Sequence, residues 1–333
     1  MSGPTARMQR SVMAQTVITP VAPQATRAVA VTPRRITVLR GGPSAEREVS
    51  LKSGRAVAAA LTSIGHVVKQ ADISPTDLSA LDADADVIFV ALHGTFGEDG
   101  QLQRILEQRG LPFCGSGADA SALAMDKVAS KRRFVEVGIP TPRFDVALPD
   151  RWAQAVSEWT PPVVLKPIDQ GSSIGCYVAT DADAAHRLGQ QLLDEHGGFL
   201  IEEYIAGREL TVGILGDETL PPIEIRTQRK FYDYAAKYQD DDTDYLFDLD
   251  AAPELLDRIR GLSLAAHRSL GCRDFSRVDW MIDAVHDDPY ILEVNTIPGF
   301  TDHSLLPKAA GRAGIDFAAL CDRIVELALA RHA

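Results

Sequence analysis

Ile291-Leu292-Glu293-Val294-Asn295, with Arg277-Val278-Asp279 shortly before it, decides the fold. Both stretches read as strands, close enough in sequence to be neighbours. Strand side chains alternate between faces, so Glu293 and Asn295 should point one way and Leu292 and Val294 the other. Arg277 and Asp279 share a face for the same reason. Three oxygen ligands, Asp279, Glu293 and Asn295, then gather at one spot. Two carboxylates and an amide make a hard site suited to Mg2+, which takes a few carboxylates and completes its shell with phosphate oxygens. Arg277 can reach a transferring phosphate from that face. A plain hairpin with solvent-facing polar residues would alternate in the same way. The loop that follows argues for a site instead, because Gly299, Thr301 and Ser304 give it ligand-binding character.

Composition bounds the rest. The chain has 333 residues, 45% hydrophobic and 24% charged, as in a soluble globular protein of two or three domains. No run approaches the roughly 20 apolar residues of a membrane span. A formal net charge of -12 argues against a nucleic-acid binder working through a basic surface. Cys114, Cys176, Cys272 and Cys321 are widely spaced without a CxxC pair, so neither zinc nor a disulfide framework is expected. They read as reduced packing residues of a cytosolic protein. The first 35 residues hold Arg7, Arg10, Arg27, Arg34 and Arg35 and no Asp, Glu or Lys. An acid-free, Arg-bearing start can mimic a transit peptide. Without a clear period or a compact apolar core, residues 1–34 read better as a disordered leader outside the folded part.

Residues 35–39 read as a first buried strand running into the tight turn Gly41-Gly42-Pro43-Ser44. Val57 and Leu61 mark a helix at i, i+4. His66-Val67-Val68 and residues 87–92 are further strands. Strand, helix, strand at this spacing implies parallel pairing with right-handed crossovers, and ligands gather at the carboxyl ends of such strands. Gly41-Gly42 and Leu92-His93-Gly94 sit at those ends. A helix around Leu102, Ile105 and Leu106 stops at Gly110. Another is expected from about Ser121 to Val137, with Gly138 as its stop. Residues 163–166 and 176–178 form a hairpin with a small-residue tip. A strand follows at 199–202, then an antiparallel pair at 210–215 and 222–226. A helix spans 317–329. Asp240-Asp241-Asp242 reads as a solvated loop. There is no internal repeat.

The hairpin tip at residues 171–175 offers backbone N–H groups and two hydroxyls, and its small residues admit a phosphate close to the backbone. A Gly-Ser tip alone is equally a flexible turn; its weight comes from Lys166, on the strand entering it. Lys127 is a second candidate phosphate cation. Glu202 ends an apolar strand where a purine pocket could use it, and Glu209 could bind ribose hydroxyls. Glu46, His93, Ser172, Tyr238 and Ser304 stand near loop or strand ends. Ser44 lacks the final glycine of a hydrolase elbow. No GxxxxGK[ST] and no HExxH occur, so neither a P-loop nor a zinc protease is expected.

The ordered motifs along the chain resemble those of the D-alanine–D-alanine ligase family, over roughly residues 35–330. They are residues 41–50 (Gly-Gly-Pro-Ser-Ala-Glu-Arg-Glu-Val-Ser), Ala91-Leu92-His93-Gly94 with Gly97-Glu98-Asp99-Gly100, and Gly115-Ser116-Gly117. Further on come Met125-Asp126-Lys127, Gly171-Ser172-Ser173, Phe231-Tyr232-Asp233-Tyr234 with Lys237-Tyr238, and Glu293-Val294-Asn295-Thr296 with Pro298-Gly299.

The resemblance implies an α/β chain of mixed α+β character. Its fold would be a three-domain ATP-grasp fold with an N-terminal parallel-sheet (pre-ATP-grasp) domain. The domains would be 35–120, 121–209 and 210–333. It implies ATP-dependent joining of two D-alanines through an acyl phosphate, in the cytoplasm, by a homodimer supplying peptidoglycan synthesis. Lys127 and Lys166 would bind ATP phosphates under the loop carrying Ser172 and Ser173. Glu202, Glu203 and Ile205 would meet the adenine, and Glu209 the ribose. Asp279, Glu293 and Asn295 would hold two Mg2+, for which Mn2+ can substitute. Glu46 would take the first D-alanine's ammonium, with His93 nearby. Ser304, Leu305 and the backbone at Gly299 would take the second D-alanine's carboxylate. Glu46, Ser172 and Tyr238 match the family's trio across the site. Arg277 would stabilise the acyl phosphate and the tetrahedral oxyanion, and Lys237 would contact the transferring phosphate.

Two departures stand out: Ala235 where the family loop often has Glu, and Leu246-Phe247-Asp248-Leu249-Asp250 where relatives often carry Pro-Ala. Both bear on a closing lid expected around residues 228–248. The alternatives are a ligase of the same fold taking D-lactate or another acceptor, a non-catalytic nucleotide-binding protein, and a Rossmann oxidoreductase. The last lacks GxGxxG.

Overall fold

Ile36, Thr37, Val38 and Leu39 are all buried, as the middle strand of a parallel sheet must be on both faces. In the computed structural model, which describes residues 32–171, 174–227, 243–301 and 304–332, they form β1 (Arg35–Arg40). β1 lies between β2 (Val67–Asp72) and β3 (Val87–Val90), parallel to both. Helix α1 (Arg47–Ser63) makes the first crossover, burying Val57 and Leu61. The carboxyl ends of β1 and β3 carry the Gly41-Gly42 turn and the His93 loop.

Helix α2 (Gln101–Gln108) follows. The single helix expected from 121 to 137 is two: α3 (Ala118–Met125) and α4 (Lys127–Glu136). Asp126 breaks it. Its backbone is extended, and its carboxylate accepts from the N–H groups of Val128 and Ala129, both at 2.9 Å. An aspartate that satisfies first-turn donors starts a new helix better than it continues an old one. Gly110 and Gly138 stop α2 and α4 at φ +65° and +74°.

The second sheet is antiparallel, in the order β4 (Phe144–Ala147), β7 (Phe199–Glu203), β5 (Val163–Pro167), β6 (Tyr177–Ala179). Helices α5 (Trp152–Ser157) and α6 (Ala182–His196) pack on it. The third sheet runs β11 (Thr243–Leu246), β10 (Ile223–Thr227), β8 (Gly207–Leu215), β12 (Phe275–Asp283), β13 (Pro289–Asn295), with β9 (Glu218–Thr219) on β8. Helix α7 (Pro253–Ser269) covers one face.

Helices α8 (Leu305–Arg312) and α9 (Phe317–Ala330) close the chain and share one core with β1 and α1. Phe300 meets Phe89 and Phe275 edge-on, at 5.6 and 5.2 Å between ring centres. Each buried ring contributes about 1.5–3 kcal/mol, which fixes the 296–301 loop against the end of β3. Among the described residues no helix is long and apolar enough to cross a membrane.

Candidate active site

In the β12–β13 ladder Arg277 faces Asn295 and Asp279 faces Glu293. The Arg277 guanidinium grips the Asp279 carboxylate with two hydrogen bonds, 2.9 and 2.8 Å. Thr211 Oγ1 donates to Asp279 at 2.6 Å and Asn295 Nδ2 at 2.9 Å. The expected alternation fails at one point. Asp279 pairs with Glu293, but Trp280 pairs with Ile291, so Leu292 is the extra residue of a bulge. Val294 stays in the core as read. Leu292 instead lines a cavity beside Met281, while Trp280 and Ile291 keep the core filled.

That cavity, about 340 Å³, opens between the second and third sheets. Lys166, Glu202, Glu203, Ile205 and Glu209 all line it, so five of the residues assigned to nucleotide binding meet in one place. Lys166 and Glu202 reach it from the adjacent strands β5 and β7, Glu209 from β8, and Glu203 and Ile205 from the end of β7 and the loop leading to β8. Glu202 is 1% exposed and lies 2.6 Å from Lys166 Nζ. Its other oxygen lies 2.7 Å from the ammonium of Lys131, a residue the motifs did not single out. The signal was present: Lys131 follows Lys127 by four residues on α4 and so shares its face. Burial works to raise the Glu202 pKa, but the two ammoniums override it and hold the carboxyl below its ordinary value. Burial lowers Lys131 to about 8 despite Glu202, whereas at Lys166 the pull of Glu202 outweighs burial and the pKa is raised. Cys176, also in the cavity wall, is pushed up to about 11 by burial and stays a thiol.

A smaller recess beside the cavity gathers Lys127, Glu293, Asn295, Gly171 and Glu98. Lys127 Nζ donates to Gln170 O and lies 3.9 Å from Glu293. The Glu46 carboxylate is wedged between two motif glycines: a Cβ at Gly94 would come within 2.8 Å of Glu46 Oε2, and one at Gly171 within 3.3 Å. Glu46 is buried, which brings the first motif to the hairpin tip.

His93 is buried, with Nδ1 3.1 Å from Ile297 O and Nε2 3.2 Å from Ser53 Oγ. A carbonyl only accepts, so Nδ1 carries the proton and Ser53 donates to Nε2. Burial lowers the His93 pKa and keeps the ring neutral. Glu98, unassigned from the sequence, accepts from the N–H groups of Ile297 and Gly94, both at 3.2 Å. Burial, then the charge of Glu46, pushes it up to about 8.

On the acceptor side, Ser304 is the N-cap residue of α8, and its Oγ accepts from Thr301 N–H at 3.0 Å. A Cβ at Gly299 would lie 2.9 Å from that oxygen, so a larger residue there would turn the Ser304 hydroxyl aside. The Leu305 side chain is packed in the core and does not face the site. Only its amide, one of the first-turn N–H groups that no helix carbonyl reaches, is suited to a ligand. Ser172, Ser173, Lys237, Tyr238, Ala235 and Asp240 to Asp242 lie outside the described residues, as does most of the expected lid.

Among the described residues no three His, Cys, Asp or Glu side chains form a metal cluster. The donor set is two facing carboxylates and an amide, all oxygen, beside a cavity lined by a lysine. Mg2+ or Mn2+ fits such donors, since these ions keep positions for phosphate oxygens and water.

Two antiparallel sheets closing on a lysine- and carboxylate-lined cavity, beside a parallel N-terminal sheet, are the arrangement of the ATP-grasp class of ligases. Comparison with known proteins narrows it. The family model described as D-ala D-ala ligase C-terminus matches residues 134–326, and that described as D-ala D-ala ligase N-terminus matches residues 66–116. A D-alanine–D-alanine ligase of Methylacidiphilum infernorum is 41% identical over 299 residues, 90% of this chain and 97% of that protein. The crystal structure of a D-alanine–D-alanine ligase from Bacillus anthracis matches with a TM-score of 0.81 at 36% identity, over 89% of this chain and 98% of that one. Its complex with ATP matches with a TM-score of 0.77 at 32% identity, over 90% and 98%. The chain belongs to the D-alanine–D-alanine ligase family.

Proposed function

We propose that this chain joins two molecules of D-alanine to D-alanyl-D-alanine, forming ADP from ATP through an acyl phosphate. The observation that carries the reading is the facing pair Asp279–Glu293, flanked by Arg277 and Asn295, with Glu293 and Asn295 in the recess that also holds Lys127. A carboxylate is a poor electrophile, because its charge repels nucleophiles and oxide is a bad leaving group. Phosphorylation removes both obstacles, and the protein's share is positioning and charge neutralisation.

Lys166 and Lys127 hold the phosphates under the 171–175 loop, with Ser172 and Ser173 in it. The purine and ribose lie along Glu202, Glu203, Ile205 and Glu209. Asp279, Glu293 and Asn295 hold two Mg2+, which neutralise phosphate charge when bound. Glu46, with His93 beside it, takes the first D-alanine's ammonium. Ser304, Gly299 and the Leu305 amide take the second one's carboxylate. Arg277 stabilises the acyl phosphate and the oxyanion, and Lys237 the transferring phosphate. Ser172 and Tyr238 complete the trio with Glu46. We take its domains as 35–120, 121–209 and 210–333, for which the presence of three separate sheets is the support. The protein works as a cytoplasmic homodimer, and its product enters peptidoglycan.

The D-lactate alternative shares this fold and differs in the acceptor. Purified protein with Mg-ATP and D-alanine should release ADP and yield the dipeptide by mass spectrometry. Absence of D-alanine-dependent turnover would reject the assignment, and D-lactate outcompeting D-alanine across pH would replace it with the ester-forming one.

A further inference from the structure

Lys131 has no part in the reading above, yet its side chain is fully buried, and a buried ammonium is costly unless paired. It donates to Thr141 Oγ1 at 2.6 Å, and that hydroxyl donates to Ile291 O of β13 at 2.8 Å. Its ion pair is with Glu202 Oε1, at 2.7 Å, while Glu202 Oε2 holds Lys166 at 2.6 Å. The three charges form a row from the interior to the cavity wall, which Lys166 and Glu202 line. One carboxylate faces two ammoniums, so the row carries one positive charge in excess.

We propose that Lys131 is a positioning residue for the nucleotide site: as a second counter-ion to Glu202, it lets Lys166 turn its charge to a phosphate in the cavity. The proposal rests on the reading of the cavity as an ATP site. A carboxylate this buried cannot be left alone. If Lys166 were its sole partner, any move of Lys166 toward an anion would strip Glu202 of its neutralising charge. With Lys131 fixed by Thr141, Glu202 stays paired whichever way Lys166 points. Lys131 itself touches no ligand.

The test compares the full-length protein and its variants in calorimetric binding of Mg-ATP and of adenosine, which has no phosphates. Lys131→Met should lower affinity for ATP on the order of tenfold, the scale of a weakened charge-assisted contact, and leave adenosine nearly unchanged. Lys131→Arg should restore part of the loss. The double variant Lys131→Met, Glu202→Gln should restore the ATP-to-adenosine ratio, because nothing then pins Lys166. A defect that merely distorts the pocket would weaken both ligands alike, and that outcome overturns the proposal, as does an unchanged ATP affinity in Lys131→Met. Should Lys131→Met fail to fold, Glu202→Gln alone decides: the ratio must stay at or above that of the unmodified protein, and a fall overturns the proposal. If the unmodified protein binds ATP no better than adenosine, the nucleotide reading itself fails. If it prefers ATP and Lys131→Met keeps that preference, only the role of Lys131 fails.

Discussion

Asp279 and Glu293 face each other directly across β12 and β13. Like charges in facing positions repel. Arg277 offsets Asp279 through two hydrogen bonds, whereas the Lys127 ammonium stands 3.9 Å from Glu293, beyond hydrogen-bond range. Such a pair suits a divalent cation and, without one, gains little from both charges. Glu293→Gln should therefore cut kcat by roughly 10²-fold or more, the scale of losing a preorganised electrostatic group, while leaving the melting temperature level or higher. Asp279→Asn should cut kcat as deeply and also destabilise by about 1–3 kcal/mol, because the Arg277 fork loses an oxygen acceptor. Steady-state kinetics with thermal unfolding separates the two, and a Glu293→Gln protein with normal turnover would remove the ion-binding role.

Glu98 should leave a mark on the pH dependence of stability. Folded, it holds its proton up to about pH 8 because burial outweighs the two N–H groups that favour the carboxylate. Unfolded, it loses that proton near the ordinary value of 4.5. The folded state thus binds more protons between those limits, and stability must fall as pH rises through that window, by up to about 1.4 kcal/mol per unit. Glu98→Gln cannot titrate. Urea unfolding at several pH values between 5 and 8 should show a shallower decline for the variant than for the unmodified protein. Parallel slopes would mean that Glu98 is ionised throughout.

Asp126 sets the position of α4, and so of Lys127 and Lys131. Its carboxylate accepts from two first-turn N–H groups, and Asp126→Ala leaves both without that partner. The expected cost is about 1 kcal/mol of stability. A rise in the KM for ATP should accompany it, since both lysines ride on the helix. Loss of stability with ATP binding intact would confine Asp126 to a structural role.

The site was legible where chemistry and spacing coincide. Arg277, Asp279, Glu293 and Asn295 were readable because alternation along a strand leaves few choices. The β5–β6 hairpin was readable because a small-residue tip between apolar runs has one simple solution. Leu292 was misplaced, since a bulge breaks alternation and nothing local announces it. The α3–α4 break was missed because apolar spacing continues through Asp126, whose capping role depends on a backbone turn invisible in the periodicity. Helices α5, α6, α7 and α8 escaped a coarse reading focused on strands and motifs. Lys131 and Glu98 carry the same lesson at the site. A lone lysine is usually a surface residue, and a glutamate in a Gly-rich turn looks solvated. Only the packing of three sheets buries Lys131 fully and sets Glu98, half-buried, in the wall of the recess.

Ser304 gives the most direct test of acceptor recognition. Its Oγ accepts from Thr301 N–H and lies 2.9 Å from Thr301 Oγ1. If the threonine hydroxyl donates, the serine proton is left to face a ligand. A carboxylate arriving at the first turn of α8 would accept a hydrogen bond from that hydroxyl, with the Leu305 amide and the helix dipole adding to it. A hydrogen bond to a charged group is worth about 1.5–3 kcal/mol, so Ser304→Ala should raise the KM for the second D-alanine roughly 10- to 150-fold. The KM for ATP and for the first D-alanine should hold, because Lys166, Lys127 and Glu46 are untouched. Thr301→Val, which lets the Ser304 proton turn elsewhere but keeps the hydroxyl, should raise the same constant by less. Equal KM values for the second D-alanine in Ser304→Ala and the unmodified protein would move acceptor binding away from this loop.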